Sequence, residues 1–215
     1  MTNVGRTIGG IVLFMSAMLL GVLIKSRQYT PTPEPVMQLK TGIIFRNTET
    51  LPPLTFTDQA GLNWTPKKIY GKWSLFFFGY SQCPSFCPEI LEKMDLIGKN
   101  FSSNELECLF VSINPSYDSP KVLSNFLEQY PTPIRGLSGS STSVNQLATF
   151  FKIHVEEAKG QVQHIEHASA LVLVDPYGRP CGIFTELDDI SQVIADIHTA
   201  QKQLRYTLFS TQDIA

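Results

Sequence analysis

The chain has 215 residues, 43% of them hydrophobic and 17% charged, with a formal net charge of −2. This is the composition of an ordinary globular protein with room for one good-sized domain and accessory segments. The near-neutral charge, without a basic stripe, argues against nucleic acid as a partner, and four cysteines are too few for a disulfide scaffold.

An uncharged apolar run, residues 7–24, lies near the amino terminus between Arg6 and Lys25. As a helix its 18 residues would measure about 27 Å, close to the hydrocarbon thickness of a bilayer. No A-x-A-like cleavage site follows, so we predict an uncleaved membrane anchor over residues 1–25. A cleaved signal peptide and a buried soluble helix are the alternatives. The short amino terminus and the long following domain favour a cytoplasmic amino terminus and an exported domain.

A proline-rich segment, Thr-Pro-Thr-Pro-Glu-Pro, falls within residues 26–44. Such a composition is typical of an extended, semi-rigid spacer. We therefore predict a linker over 26–44, a globular domain over 45–205 and a frayed carboxyl-terminal tail over 206–215.

The globular region alternates strand and helix patterns. Leu75–Phe78 and Glu107–Asn114 are apolar runs typical of buried strands, and Asp175–Gly178 is a turn of the kind that joins antiparallel strands. The predicted strands are residues 54–61, 75–78, 107–114, 134–137, 168–174 and 181–185, and the predicted helices begin near Cys83, Ser119, Ser143 and Asp188 or Asp189. This order predicts an α/β fold with a mixed central sheet flanked by helices.

Two cysteines stand where the strand Leu75–Phe78 gives way to a helix. Cys83 and Cys87 are four residues apart, so in one helix their Cα atoms would lie about 6 Å apart, within reach of a disulfide. The amino terminus of the helix favours thiolate over thiol, most strongly at Cys83. Such a pair can form a disulfide or hold a soft metal ion, and two structural cysteines without chemical function are the alternative.

The order of elements predicts a thioredoxin-like fold. It consists of a strand, a helix with two cysteines at its start, a βα unit, and a final hairpin followed by a helix. Thioredoxins have two residues between their cysteines, whereas this chain has three. Phe78–Pro88 (FGYSQCPSFCP) resembles the CxxxCP signature of the Sco/SenC family. Ser112–Pro120 resembles that family's S-x-D-P-x-x-D-T-P stretch, and Gly136–Ser140 resembles its G-L-T-G stretch. His167 falls where the family has its single histidine ligand.

The resemblance runs from about residue 50 to 202 and implies a copper-binding protein that serves assembly of the binuclear copper centre of cytochrome c oxidase. It implies Cys83, Cys87 and His167 as copper ligands and an oxidase subunit as the recipient. With the predicted anchor, it also implies a single-pass inner-membrane protein whose soluble domain faces the periplasm or the equivalent exported compartment. Two thiolates and an imidazole suit Cu(I) and can also hold Cu(II), whereas structural zinc normally takes four protein ligands. His164, three residues earlier, is an alternative third ligand.

The chain departs from the family pattern at four positions near these ligands. Gln82, Ser85, Asn114 and Ala168 stand where the family commonly has a histidine, an aspartate, an aspartate, and a serine or threonine. None of the four changes removes a ligand. A lost negative charge at position 85 could alter copper affinity or partner docking.

Two enzymatic functions that the same fold supports are alternative hypotheses. In a thiol–disulfide oxidoreductase, Cys83 would attack, Cys87 would resolve the mixed disulfide, and the target cysteines would be kept reduced. A peroxidase needs a strongly activated cysteine, usually with an arginine nearby, and the stretch around Cys83 has none.

Several residues outside the CxxxC motif have open assignments. Cys108 is predicted to be a small core residue, although a Cys108–Cys181 bridge remains an alternative in an oxidising compartment. Asp118 is expected either near the site or as a turn residue ahead of a helix. His154 and His198 are predicted to be solvated.

Overall fold

The computed structural model describes residues 11–21, 35–47, 49–153 and 170–210. The chain divides into two compact units, residues 1–33 and 34–215. The first unit contains helix α1, residues 11–21. Within the described ranges, no helix has both the length and the apolar character to cross a membrane. The anchor predicted over residues 1–25 extends beyond the described residues on both sides.

The second unit is built on one nine-stranded mixed sheet with the order β1-β2-β9-β8-β5-β6-β7-β3-β4. Its strands are β1 (Pro35–Gln38), β2 (Gly42–Phe45), β3 (Phe56–Asp58), β4 (Asn63–Trp64), β5 (Trp73–Gly79), β6 (Leu106–Ser112), β7 (Ile134–Ser138), β8 (Leu171–Val174) and β9 (Pro180–Phe184). Its helices are α2 (Phe86–Gly98), α3 (Pro120–Leu127), α4 (Ser141–Phe150) and α5 (Ile190–Ser210), with a short 3₁₀ helix at Pro66–Ile69. The predicted mixed α/β sheet is confirmed.

Strand β5 is the centre of the sheet and is buried along its whole length. It pairs in parallel with β6 and antiparallel with β8. Because successive side chains of a strand point to opposite faces, Leu75 and Phe77 enter one core while Phe76 and Phe78 enter the other. The apolar run therefore forms a strand covered on both faces, as its composition predicts.

The helices cover the sheet unequally. Apolar residues of α2, α3 and α5 pack on the face that carries Leu75, whereas α4 packs on the opposite face, together with Trp64 of β4 and Ile69 of the 3₁₀ helix. This two-faced arrangement around a mixed sheet is the thioredoxin-like architecture that the order of elements predicts.

The parallel strands β5, β6 and β7 give the sheet two distinct ends. We call the end at which these strands finish the cysteine end, because Cys83 and α2 follow β5 there. The opposite end contains the first residues of the same three strands, the β8–β9 turn and the carboxyl terminus of α2.

The sheet begins earlier in the chain than predicted. Strands β1 and β2 occupy residues that the proline-rich composition assigns to the linker over 26–44, so the fold starts at Pro35 rather than at residue 45. The hairpin closes where Leu39 N–H donates to the carbonyl of Gly42 at 2.9 Å. Thr41 then donates two hydrogen bonds to the buried carboxylate of Asp196 on α5. The contact of Thr41 with Asp196 joins residues distant in the chain, so the local composition carries no signal of it.

Two helix boundaries also differ from the predictions. Helix α4 is capped by Ser140 rather than Ser143, since the Ser140 hydroxyl accepts the N–H of Ser143 at 3.1 Å. Several hydroxyl residues stand in a row here, and any of them could have served as the cap. Helix α5 continues to Ser210, five residues beyond the predicted end of the domain at 205.

Candidate metal and dithiol site

The two cysteines of the CxxxC motif lie at the cysteine end, between β5 and α2. The Sγ of Cys83 accepts a hydrogen bond from the backbone N–H of Cys87 at 3.1 Å. Both are free thiols; Cys83 is half-buried, while Cys87 is buried with 2% of its surface exposed. The structure therefore brings the two sulfur-bearing residues together and leaves the first more accessible than the second.

The helix starts later than predicted, and Cys83 lies before it. Helix α2 begins at Phe86, so only Cys87 is helical. Pro88 explains the difference, because proline has no N–H and clashes with the carbonyl four residues earlier. With the start at Phe86, Pro88 falls in the first turn, where an N–H would have no intrahelical partner. The Cys83 sulfur instead accepts one of these unpaired N–H groups, so the thiol acts as a cap for the helix.

Gly79, the last residue of β5, makes room for the Cys87 sulfur. A Cβ at position 79 would lie 2.9 Å from Cys87 Sγ and 2.8 Å from Cε2 of Phe110. Both contacts are shorter than real Cβ contacts, so a side chain here would displace the sulfur or the ring. The sequence analysis did not single out Gly79, although a glycine that ends a buried strand just before a functional motif is a recognisable sign of close approach.

Burial dominates the electrostatics of Cys87. Desolvation raises the pKa of the Cys87 thiol, the negative charges of Cys83 and Asp118 add to this, and a hydrogen bond with the Tyr80 main chain opposes it. Burial also raises the pKa of the Tyr80 phenol to about 12, with a further contribution from the neighbouring Cys83. Burial of Cys87 therefore opposes the ionisation that the amino terminus of a helix was predicted to favour at both sulfurs.

Asp118 holds the turn that carries the cysteines. Its carboxylate is fully buried and accepts hydrogen bonds from the backbone N–H of Ser81 at 3.2 Å and from the Ser81 hydroxyl. It also accepts from the hydroxyl of Ser112, the last residue of β6, at 2.6 Å. Of the two assignments left open for Asp118, the structure supports a location at the site, where it joins the β5–α2 and β6–α3 loops.

The two described loops beside Cys83, residues 80–88 and 112–120, carry almost no charge. Asp118 is the only charged residue in the stretches 80–88 and 112–120, and it is buried. Gln82, Pro84 and Ser85 are exposed beside Cys83, and Tyr117 is 49% exposed on the neighbouring loop. These two described loops therefore present a neutral, partly aromatic surface beside the Cys83 sulfur.

The histidines proposed as ligands lie outside the described residues. This holds for His167, for the alternative ligand His164 and for His154. Among the residues that the structure describes, no group of three or more histidine, cysteine, aspartate or glutamate side chains is arranged to hold a metal ion. His198 is exposed, as predicted, and its ring packs against Phe101 with 4.8 Å between the ring centroids.

The remaining cysteines do not pair. Cys108 and Cys181 are both buried free thiols. They lie on β6 and β9, which are separated by β5 and β8, so about 14 Å of sheet divides them. This distance excludes the disulfide left open by the sequence, and burial raises the pKa of the Cys108 thiol to about 12. Both are core residues.

Comparison with known proteins assigns the chain to a family. The SCO1/SenC family model matches residues 46–202. The chain belongs to the SCO1/SenC family. It is 28% identical over 160 residues to the human "Protein SCO1 homolog, mitochondrial", covering 71% of this chain and 53% of the relative. It is 31% identical over 134 residues to the Saccharomyces cerevisiae "Protein SCO1, mitochondrial", covering 59% of this chain and 45% of the relative.

Solved structures agree with the family assignment. The crystal structure of yeast Sco1 with copper bound matches with a TM-score of 0.62 and 29% identity, covering 70% of this chain and 87% of that one. The chain spans about half the length of the curated relatives it matches. The resemblance predicted from the CxxxCP motif is thus confirmed at the level of family and fold.

Proposed function

We propose that this protein is a membrane-tethered copper carrier that binds copper through Cys83, Cys87 and His167 and delivers it to the binuclear copper centre of cytochrome c oxidase. The observation that carries the proposal is the hydrogen bond from Cys87 N–H to Cys83 Sγ at 3.1 Å, between two free thiols at the start of α2. A related protein, yeast Sco1, has been crystallised with copper bound.

The donor set fits copper as a cargo. Two thiolates are soft ligands that suit Cu(I), and a single imidazole completes a three-coordinate site. Cys83 is reachable from solvent whereas Cys87 is buried, so a recipient thiolate would contact the ion from the Cys83 side. Transfer would then proceed by stepwise ligand exchange with cysteines of the recipient oxidase subunit.

The tether is the second part of the proposal. The uncharged apolar run at residues 7–24 would hold the protein in the inner membrane, with the copper-binding unit facing the periplasm or an equivalent exported compartment. The domain over 34–215, which contains the whole sheet and both cores, would then work at the membrane surface.

Copper content measured on single-residue variants tests the ligand set. We expect the purified unit over residues 34–215 to bind one copper ion per chain. Cys83→Ser and Cys87→Ser should abolish binding, whereas Cys108→Ser, which removes a buried thiol from β6, should leave it unchanged. Unchanged copper content in Cys83→Ser would contradict the proposal.

The third ligand needs a separate test. We expect a Cu(II)–thiolate absorption band that is lost in His167→Ala and retained in His198→Ala, because the ring of His198 packs against Phe101. If His167→Ala keeps the band and His164→Ala loses it, His164 is the third ligand.

A thiol–disulfide oxidoreductase is the second candidate, and the unequal burial of the two sulfurs favours it specifically. An accessible Cys83 can attack a target disulfide, and a buried Cys87 at the helix start can then resolve the mixed disulfide. Dithiol exchange should survive His167→Ala, whereas copper delivery should not. Cys87→Ser should trap a mixed disulfide with the target only if the protein acts as a reductant.

A further inference from the structure

Tyr80 stands at the cysteine end, between the last residue of β5 and the CxxxC motif. Its half-buried ring packs against apolar side chains of both cores. The turn that follows is fixed by hydrogen bonds, because the Tyr80 carbonyl accepts the N–H of Cys83 at 3.3 Å and Ser81 donates its N–H and hydroxyl to the buried Asp118. The phenol of Tyr80 is therefore held in a defined place beside the first sulfur.

Tyr80 contacts both sulfur-bearing side chains. Its phenol is hydrogen-bonded to the side chain of Cys83, and its main chain is hydrogen-bonded to that of Cys87. The Cys83 sulfur also accepts the backbone N–H of Cys87 at 3.1 Å. A phenol keeps its proton at neutral pH, whereas a thiolate or a metal-bound sulfur has none. In either of these states the Tyr80 O–H is therefore the donor and the Cys83 sulfur the acceptor.

The hydroxyl is the feature of Tyr80 that packing does not explain. Strand β5 and the motif after it contain five aromatic residues between positions 76 and 86, and the other four, Phe76, Phe77, Phe78 and Phe86, are phenylalanines. A phenylalanine at position 80 would fill the same space against both cores, since the two side chains differ by one oxygen atom. That oxygen contacts the more accessible of the two sulfurs, where a hydrogen bond changes the chemistry of the site.

We propose that Tyr80 is a positioning residue of the dithiol, whose phenol donates a hydrogen bond to the Cys83 sulfur and thereby sets the electron density of that sulfur. On a ligating thiolate, such a donor weakens donation to Cu(II) more than to Cu(I) and raises the potential of the bound copper. In the copper-free protein the same bond stabilises the dithiol against the Cys83–Cys87 disulfide, because a disulfide sulfur is a poorer acceptor than a thiol or thiolate. The first consequence rests on the proposed function, and the second does not.

Spectra of the copper-loaded full chain, purified in detergent, test the first consequence. Tyr80→Phe keeps the ring and removes only the O–H, and Tyr117→Phe makes the same change at a 49% exposed tyrosine of the neighbouring loop. We expect the Cu(II)–thiolate band of Tyr80→Phe to move to longer wavelength and its copper potential to fall, with copper content unchanged because no ligand is lost. Tyr117→Phe should keep the band and the potential of the unsubstituted chain.

A glutathione equilibrium tests the second consequence without copper. Cys83 and Cys87 each give up one proton and one electron to glutathione disulfide, so that one intramolecular disulfide and two molecules of glutathione form. Loss of one hydrogen bond from the reduced state should raise the equilibrium constant for this oxidation about fivefold in Tyr80→Phe and leave it unchanged in Tyr117→Phe. Alkylation of the remaining thiols after acid quenching, read by mass, measures the oxidised fraction.

Tyr80→Leu separates the hydroxyl from the ring. If Tyr80→Phe matches the unsubstituted chain in band, potential and glutathione equilibrium while only Tyr80→Leu departs from it, the ring supports the site by packing and the inference is overturned. A chain that binds no copper refutes the proposed function but not the role of Tyr80, because the glutathione equilibrium still decides it. A fivefold shift in that equilibrium for Tyr80→Phe and not for Tyr117→Phe upholds the inference in either case.

Discussion

The buried carboxylates at the two ends of the sheet have different kinds of hydrogen-bond partner. At the opposite end, Glu107 accepts from the guanidinium of Arg135 at 2.6 Å, and Asp175 contacts the guanidinium of Arg179 at 2.6 Å. At the cysteine end, the fully buried Asp118 accepts only from hydroxyl and N–H groups among its described partners. In the described part of the chain, Glu107 and Asp175 are therefore compensated by cations, whereas Asp118 is not.

This difference explains how the cysteine end can favour a cation. The uncompensated charge of Asp118 adds to the burial that raises the pKa of the Cys87 thiol. A metal ion at the sulfurs would supply the positive charge that is missing among the described partners of Asp118 and would replace the thiol protons. The fold therefore disfavours ionisation of Cys87 alone, and a cation bound at its sulfur would offset this.

Asp118→Ala gives the largest expected effect, because it removes the acceptor for donors of two loops. Leaving these buried groups without a partner should lower the free energy of unfolding by about 3 kcal/mol. Urea unfolding with the copper-free protein measures it. Asp118→Asn serves as the matched variant, since it keeps the size and one acceptor oxygen but loses the charge.

The matched variant also separates charge from structure. If the Asp118 charge acts on the sulfur, Asp118→Asn should lower the pKa of the Cys87 thiol and speed its alkylation at fixed pH in a Cys83→Ser background. Equal alkylation rates with and without the carboxylate would mean that Asp118 only supports the loops. The charge of Asp118 would then have no effect on the Cys87 sulfur.

Gly79→Ala should have the next largest effect and should act on the site itself. The new Cβ would stand 2.9 Å from Cys87 Sγ, so the sulfur or the helix start must move, at a cost of about 2 kcal/mol. Gly182→Ala is the control in a strand of the same sheet, because its nearest side-chain contact would be an ordinary 3.4 Å. Copper content and urea unfolding of the pair should differ, and equal behaviour would contradict the close approach at Gly79.

The same contrast shows what the sequence could predict. Apolar runs and turn residues were sufficient for strands β5 to β9, the β8–β9 hairpin and the position of the cysteines, because these depend on local pattern, whereas β1, β2 and β4 were missed. The late start of α2 could also have been predicted from the position of Pro88. This required deciding which of the two prolines, Pro84 or Pro88, lies in the first turn of the helix. The contacts of Asp118 with Ser81 and Ser112 join loops that are distant in the chain, and only the paired strands β5 and β6 bring them together.

Asp95 at the opposite end gives the smallest expected effect and the one most dependent on pH. Burial acts to raise the pKa of its carboxyl, but hydrogen bonds from Lys99 and Thr132 outweigh burial and lower it. An aspartate whose pKa is lower in the folded protein stabilises it above the unfolded pKa of about 3.9 and loses this contribution as the pH falls through the folded value. The unfolding free energy of Asp95→Asn should therefore fall less steeply below about pH 4 than that of the unsubstituted protein.

Solvent exposure of Lys99 limits how much Asp95 contributes to the pH dependence of stability. Lys99 is 47% exposed, so water and salt screen its 2.6 Å contact with Asp95, whereas the Thr132 N–H bond at 2.7 Å is less accessible. Urea unfolding as a function of pH at low and high salt separates the two contributions. If high salt removes the whole difference between the variants, the lysine alone lowers the pKa. If the difference persists, the partly buried hydrogen bond from Thr132 carries it, and uncharged donors stabilise a carboxylate at this end as they do around Asp118.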